Sequence, residues 1–198
     1  MGKRRAILLC SAAMRGALAV TLGLTAGCLF DTRDAEDPGG NTSSWEVPTV
    51  PSRVFLNMES GLEERTGVNY ERSLHDVFTF VPLPEDAANP TLAGKFDNWT
   101  ADVEKTVVNR LTSESSSIEV SFTNREQIRD QNPFADFRMD YELIVASNTL
   151  PPDTVIYRGK AQLDMQQGSK GWQLVRWEDI ERVSGFASWG FLRGSLRQ

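Results

Sequence analysis

Apolar residues along this chain keep two successive rhythms, and the change between them marks the fold. From Pro51 to Gly67 the apolar residues Val54, Phe55, Met58 and Leu62 recur three or four apart, which predicts one buried helix face; Ser52 is placed as its N-cap and Thr66-Gly67 as its stop. Asn69 can cap a second, short helix carrying Tyr70, Leu74 and Val77 at similar spacing. Phe78 and Phe80 alternate with Thr79 in a brief strand that Pro82-Leu83-Pro84 closes. After a long loop, Asp97 is placed to cap a third helix from about Trp99 to Leu111, with Trp99, Val103, Val107 and Leu111 on one face.

Beyond Ser113-Glu114-Ser115-Ser116-Ser117 the period falls to two and stays there. Ile118, Val120 and Phe122 alternate with Glu119, Ser121 and Thr123, and Phe137, Met139, Tyr141, Leu143 and Val145 alternate with charged neighbours. Val155, Tyr157, Gly159, Ala161, Leu163 and Met165 repeat the pattern, and Gln167-Gly168-Ser169-Lys170-Gly171 turns the chain into Trp172 to Ile180. Alternation of this kind describes a sheet with one buried and one wet face. Three helices followed by three long antiparallel strands predict an α+β domain, its helices packed on one face of a curved antiparallel sheet.

The N-terminal thirty residues follow neither rhythm. Lys3, Arg4 and Arg5 precede two apolar stretches, Ala6 to Met14 and Gly16 to Leu24, and then Leu24-Thr25-Ala26-Gly27-Cys28. A basic start, an apolar middle and small residues before a cysteine form a secretory signal ending in a lipobox. The spacing resembles that of bacterial lipoproteins, with Thr25 where leucine is commonest. Residues 1–27 are expected to be removed and Cys28 to carry the lipid. A membrane-spanning helix is the competing reading, but the longest charge-free run, Gly16 to Phe30, has 15 residues, short of the roughly 18 to 20 a span needs. Arg4-Arg5 also resembles a twin-arginine signal, without the preceding Ser or Thr.

Cleavage changes the charge. The whole chain has 198 residues, 21 basic and 27 acidic, for a formal charge of -6; the mature chain keeps 171 residues with 17 basic groups and all 27 acids, near -10. That balance argues against a nucleic-acid surface, which needs clustered positive charge. Cys10 leaves with the signal and Cys28 is committed to lipid, so the mature chain has no disulfide. Acyl chains at Cys28 exceed the single-chain threshold for stable anchoring, so the expected membrane contact is lipid. Residues 28–50 read as a tether, acidic at Asp31, Asp34, Glu36 and Asp37 and then rich in Gly and Ser; Trp45 either lies back on the domain or stays exposed.

The order of elements from 51 to 182 carries a resemblance. Pro51-Ser52-Arg53-Val54, Tyr70-Glu71-Arg72-Ser73-Leu74, the Phe78-Thr79-Phe80 strand and the terminal Trp172-Gln173-Leu174-Val175-Arg176-Trp177-Glu178-Asp179 strand together resemble the nuclear transport factor 2-like superfamily. The chain is also similar to a subset of bacterial lipoproteins that carry this domain after an acidic tether and end in a Trp-Gly-x-Leu-x-Gly segment, here Trp189 to Gly194. The resemblance implies a sheet curled into a cone whose open end often holds a small apolar ligand. It places Tyr70, Phe80, Trp99, Tyr141 and Trp177 as candidate cavity lining.

Some members of that superfamily, ketosteroid isomerases and scytalone dehydratases, do acid–base chemistry in the cone. The isomerase chemistry needs a carboxylate base and an oxyanion hole of a Tyr and a protonated Asp. Tyr141 and Asp140 are strand neighbours on opposite faces and cannot converge; a distant carboxylate such as Asp76 would be required. His75, the single histidine, neighbours Asp76 at an expected helix end, where capping or interaction with the helix C-terminus accounts for it. Trp177-Glu178-Asp179 with Glu181 reads as a solvated strand edge, not a metal site, and no Gly-x-Ser-x-Gly elbow is present.

No cofactor or metal and no catalytic residue is expected. Residues 183–198, with Val183, Phe186, Trp189, Phe191 and Leu192 among glycines and arginines, must either pack back and close the cone or offer a surface to an envelope protein partner. The sequence thus predicts an exported lipoprotein anchored to the cell membrane at Cys28, acting as a non-catalytic binding or accessory module of the cell envelope. The alternatives are a small-molecule binding protein or isomerase/dehydratase-like enzyme using the cone cavity, and a structural subunit of an envelope complex. Leu29 lacks the Asp that retains many lipoproteins at the inner membrane, which places the protein on the periplasmic face of the outer membrane if the cell has two.

Overall fold

The computed structural model describes residues 44–149 and 153–198. The signal peptide, Cys28 and the tether as far as residue 43 lie outside the described residues.

Helix α1 (Pro51–Glu63) begins at its proline, whose missing N–H costs nothing in the first helical turn. Val50 is therefore the N-cap, and Ser52 lies inside the helix. Helix α2 (Gly67–Arg72) has Thr66 at its N-cap, and Asn69 is buried within it. Strand β1 (Leu74–Val81) then starts four residues earlier than the sequence predicts. Leu74, Phe78 and Phe80 share its buried face while Val77 is exposed; a spacing of four fits a helix and a strand equally, and burial against β5 decides it. The long loop is broken by α3 (Pro84–Ala87) and a 3-10 turn at Pro90–Leu92. Helix α4 (Ala101–Glu114) has Thr100, not Asp97, at its N-cap position, so Trp99 stands just before it.

Four long strands follow: β2 (Ser115–Gln131), β3 (Phe134–Ser147), β4 (Thr154–Gly168) and β5 (Gly171–Arg182). The sheet order is β1-β5-β4-β3-β2. Neighbours among β2 to β5 are antiparallel, but β1 pairs with β5 in parallel, so the sheet is mixed where a wholly antiparallel one was expected. The intervening helices supply the long crossover that a parallel pairing requires. Strand β2 runs well past Thr123 because its distal half pairs with β3 while both its faces stay largely exposed, leaving no alternation to read.

Buried positions alternate along β3 (Ala135, Phe137, Met139, Tyr141, Leu143) and β4 (Tyr157, Ala161, Leu163, Met165). On β5 the register slips between the Asp164–Arg176 and Met165–Leu174 pairs. This bulge absorbs one extra residue, so Leu174 and Trp177 both face inward. Helix α1 lies across β2 and β5, where Phe55 meets Phe122 and Phe137 edge to face at centroid distances of 5.9 and 5.3 Å. The chain ahead of α1 is fastened to the domain: the Glu46 N–H donates to Asn57 Oδ1 at 3.1 Å, Asn57 Nδ2 returns a bond to the Glu46 carbonyl at 2.7 Å, and the Trp172 N–H donates to the Pro48 carbonyl at 2.7 Å. Trp45 thus lies back on the domain, with the Arg72 guanidinium 5.2 Å from its ring centroid. The last element, α5 (Trp189–Leu196), enters the concave side of the sheet and touches α4 and β4. None of these helices is long and apolar enough to cross a membrane.

Candidate functional site

The five aromatic residues expected to line the cone do gather on its inner side. Tyr70 comes from α2, Phe80 from β1, Trp99 from the turn before α4, Tyr141 from β3 and Trp177 from β5, and each is 5% exposed or less. They enclose side chains of α5. Trp189 packs edge to face on Trp177 at 4.7 Å and stacks on Phe122 at 6.0 Å, and the Arg193 guanidinium lies 4.5 Å from the ring centroids of Phe80 and Trp177 and 4.7 Å from that of Trp189.

The polar groups of this interior are also met by α5. Glu104, on the inner face of α4, accepts from Tyr70 Oη at 2.8 Å, from Trp99 Nε1 at 2.8 Å and from Arg193 through Nε at 3.0 Å and Nη2 at 2.8 Å. Neither partner of this ion pair is more than 1% exposed. Burial works against the charge on Arg193, but Glu104 beside it outweighs that and holds its pKa above the ordinary arginine value. Burial pushes the Tyr70 hydroxyl well up, and the neighbouring Glu104 charge adds to this.

A second group surrounds the start of α5. Trp189 N–H donates to Tyr141 Oη at 3.1 Å, Gly190 N–H to Asp179 Oδ2 at 2.8 Å and Phe191 N–H to Ser188 Oγ at 2.8 Å, while the Ser188 hydroxyl donates to Asp86. The first N–H groups of a helix lack partners within it and carry partial positive charge; here a phenol, a carboxylate and a serine cap them. Asp179 also accepts from Trp177 Nε1 at 2.7 Å. Burial raises its pKa to about 6, against the opposing pull of Arg193. Burial likewise raises Asp86 and Tyr141. Gly159, opposite Tyr141 in the β3–β4 register, makes room for the phenol: a Cβ there would lie 2.4 Å from Tyr141 Oη.

Glu104, Asp179, Arg193, Asp86 and Ser188 were not read from the sequence as interior residues, and the first three had a signal. Glu104 stands three and four residues before Val107 and Val108 on the apolar face of α4. Asp179 is two residues from Trp177 and so shares its face; it is 3% exposed, which corrects the expectation of a solvated edge, whereas Glu181 on the same strand is exposed. Arg193 follows Trp189 by one helical turn. The other candidates lie elsewhere. Asp140 accepts from Asn124 on the outer face, Asp76 is exposed near Lys170, and His75, which lies on β1 and not at a helix end, accepts the Val77 N–H at 3.3 Å. Among the described residues no three His, Cys, Asp or Glu side chains are placed to hold a metal ion.

Chemically, the cone interior is an acidic, aromatic receptacle for one guanidinium and one helix start, both supplied by residues 188–193 of the same chain. No protein-family model matches the sequence, and comparison with curated proteins finds no match. Solved structures do share its architecture. A candidate scytalone dehydratase from Novosphingobium aromaticivorans aligns with a TM-score of 0.56 at 11% identity, covering 67% of this chain and 81% of its own. A protein from Kribbella flavida aligns with a TM-score of 0.55 at 11% identity, covering 72% of this chain and 93% of its own. A nuclear transport factor 2-like superfamily protein from Salmonella enterica aligns with a TM-score of 0.52 at 6% identity, covering 67% and 88%. At such identities the likeness is one of fold: the described domain has the nuclear transport factor 2-like fold, with a C-terminal helix seated in its cone.

Proposed function

We propose that this chain is an exported lipoprotein, anchored to the cell membrane by lipid on Cys28, whose domain acts as a non-catalytic binding or accessory module of the cell envelope. The observation that carries the non-catalytic reading is the seating of Trp189 and Arg193 among Tyr70, Phe80, Trp99, Tyr141 and Trp177, where a substrate would otherwise sit. The anchoring rests on the Lys3-Arg4-Arg5 start, the apolar middle and Thr25-Ala26-Gly27-Cys28. Labelling with a palmitate analogue followed by membrane fractionation tests it: the wild-type chain should label and sediment with membranes, and Cys28→Ala should do neither. A Cys28→Ala chain that still labels and sediments refutes the anchor.

The isomerase- or dehydratase-like alternative has one observation in its favour. Asp179, a buried carboxylate with its pKa raised to about 6, shares the start of α5 with Tyr141, and a base and a phenol are what such chemistry uses. Those groups become available only if residues 188–193 leave. Hydrogen exchange at the Trp189 and Gly190 amides separates the two readings. Protection equal to that of the β3–β4 amides supports the closed accessory module, and exchange many-fold faster supports a cone that opens.

A further inference from the structure

The filled cone directs attention to another concavity, on the side where the chain enters the domain. A cavity of about 560 Å³ lies between residues 45–47, the end of α2, the start of α4 and the β4–β5 turn, within the range of small-molecule sites. Its wall is the Trp45 ring and its apolar floor includes Val68 and Leu74; Arg72, Lys105 and Lys170 stand around it. The carboxylates of Glu71 and Asp76 also reach it. They offset only two of the three cations: Glu71 keeps its charge while held by Asn109 Nδ2 at 2.8 Å, and Asp76 meets Lys170 at 3.9 Å in an exposed pair that water and salt screen. Lys105 has a similarly long contact, 3.5 Å, to Asp102. Arg72 has no carboxylate partner within 4 Å among the described residues; its guanidinium stands over Trp45. The lining thus carries one more cation than anion in a chain of net charge -6.

The geometry points to this cavity as a binding site for a small organic anion with a flat apolar body, of the aromatic carboxylate class. The ring of such a ligand would lie on Trp45 over Val68 and Leu74, and its carboxylate would meet Arg72, with Lys105 and Lys170 adding attraction from either side. A bare inorganic anion would leave most of the volume and the apolar floor unused. The wall is set in advance, because the bonds of Glu46 to Asn57 and of Pro48 to Trp172 fix the backbone on either side of residue 47, and a preformed site spends less of its binding energy on ordering. Gln173 holds the floor by donating to the Arg72 and Leu74 carbonyls at 3.3 and 2.8 Å.

The inference rests on the binding-module reading of the domain, and names its ligand class and site, but it does not depend on the lipid anchor. Calorimetric titration of the detergent-solubilised full chain with 2-naphthoate and, separately, its neutral carboxamide tests it, with ligand partitioning into empty micelles subtracted. The carboxylate should bind saturably at micromolar to millimolar concentration, the carboxamide at least tenfold more weakly. Arg72→Gln should weaken the carboxylate tenfold or more and Trp45→Leu severalfold, with far-ultraviolet dichroism unchanged, while Lys95→Gln, outside the cavity, binds as wild type does. No saturation, equal binding of the carboxamide, or unchanged affinity in Arg72→Gln overturns the proposal. None of those results alters palmitate labelling or amide protection at Trp189, so they leave the anchored, closed-cone reading standing.

Discussion

Replacing Arg193 with methionine removes a charge and its donors while keeping an unbranched side chain. Glu104 would keep the Tyr70 and Trp99 bonds but lose all three from Arg193. Both members of the pair are buried to within 1%, and removing one side of such a pair costs about 3–5 kcal/mol because the other charge is stranded. The three ring faces around the guanidinium lose cation–π attraction, on the order of 0.5–2 kcal/mol, which the methionine sulfur recovers in part through contacts on the order of 1 kcal/mol. The expected destabilisation of Arg193→Met is therefore about 4 kcal/mol. Urea unfolding followed by tryptophan fluorescence reads it: with a slope on the order of 2 kcal/mol per molar for a domain of this size, the midpoint should fall by about 2 M. The double variant Glu104→Gln/Arg193→Met should be more stable than Arg193→Met alone, since it no longer strands a charge. A loss under about 1 kcal/mol, or a double variant whose losses simply add, would refute the buried pair as a coupled unit.

Asp179 holds its proton up to about pH 6, against an ordinary 3.8. A proton bound more tightly in the folded state stabilises it fully below the unfolded pKa, and that contribution, about 3 kcal/mol, fades as pH rises through 6. Asp179→Asn should therefore flatten the decline in stability between pH 4 and 6; an unchanged profile in the variant would count against the assignment. Gly190→Ala should destabilise by about 1–3 kcal/mol although alanine favours helix by about 1 kcal/mol, because its Cβ would lie 2.7 Å from Asp179 Oδ2 and 3.2 Å from Phe80; a raised melting temperature would show that α5 can shift to make room. Deleting residues 184–198 removes Trp189 and Arg193 from the interior and should cost more than about 4 kcal/mol, read by the same unfolding assay, whereas an intact fold that has lost a partner would instead support recognition by the tail.

What the sequence made legible follows the physics of period. Strands β3 and β4 carry strict alternation because one face is buried and the other wet, so their inward residues could be read directly. The distal half of β2 is polar on both faces and left no trace. Leu74 was drawn into a helix because a spacing of four suits both element types, and only pairing with β5 separates them. The five lining aromatics were legible as a group through the resemblance, yet their occupant was not. Arg193, Glu104 and Asp179 are charged residues on otherwise apolar faces, and a charge on such a face reads as a boundary of the core until its partner, here 89 residues away for Arg193 and Glu104, is placed beside it. Pairing over that distance has no sequence period.

The position of α5 after every strand has a consequence for how the fold closes. Tyr70, Glu104 and Arg193 meet across 123 residues, and the last of them follows all five strands. Without residues 187–198 the domain would keep every strand and every other helix among the described residues, yet would hold Glu104 and Asp179 in a hollow lined with aromatic rings and without Arg193. Long-range closure of this kind is slow to form, and until α5 is seated the interior exposes the surface that proteases and chaperones respond to. Arg193 thus ties closure of the cone to the element that follows the last strand, so the interior shuts only when that helix is seated.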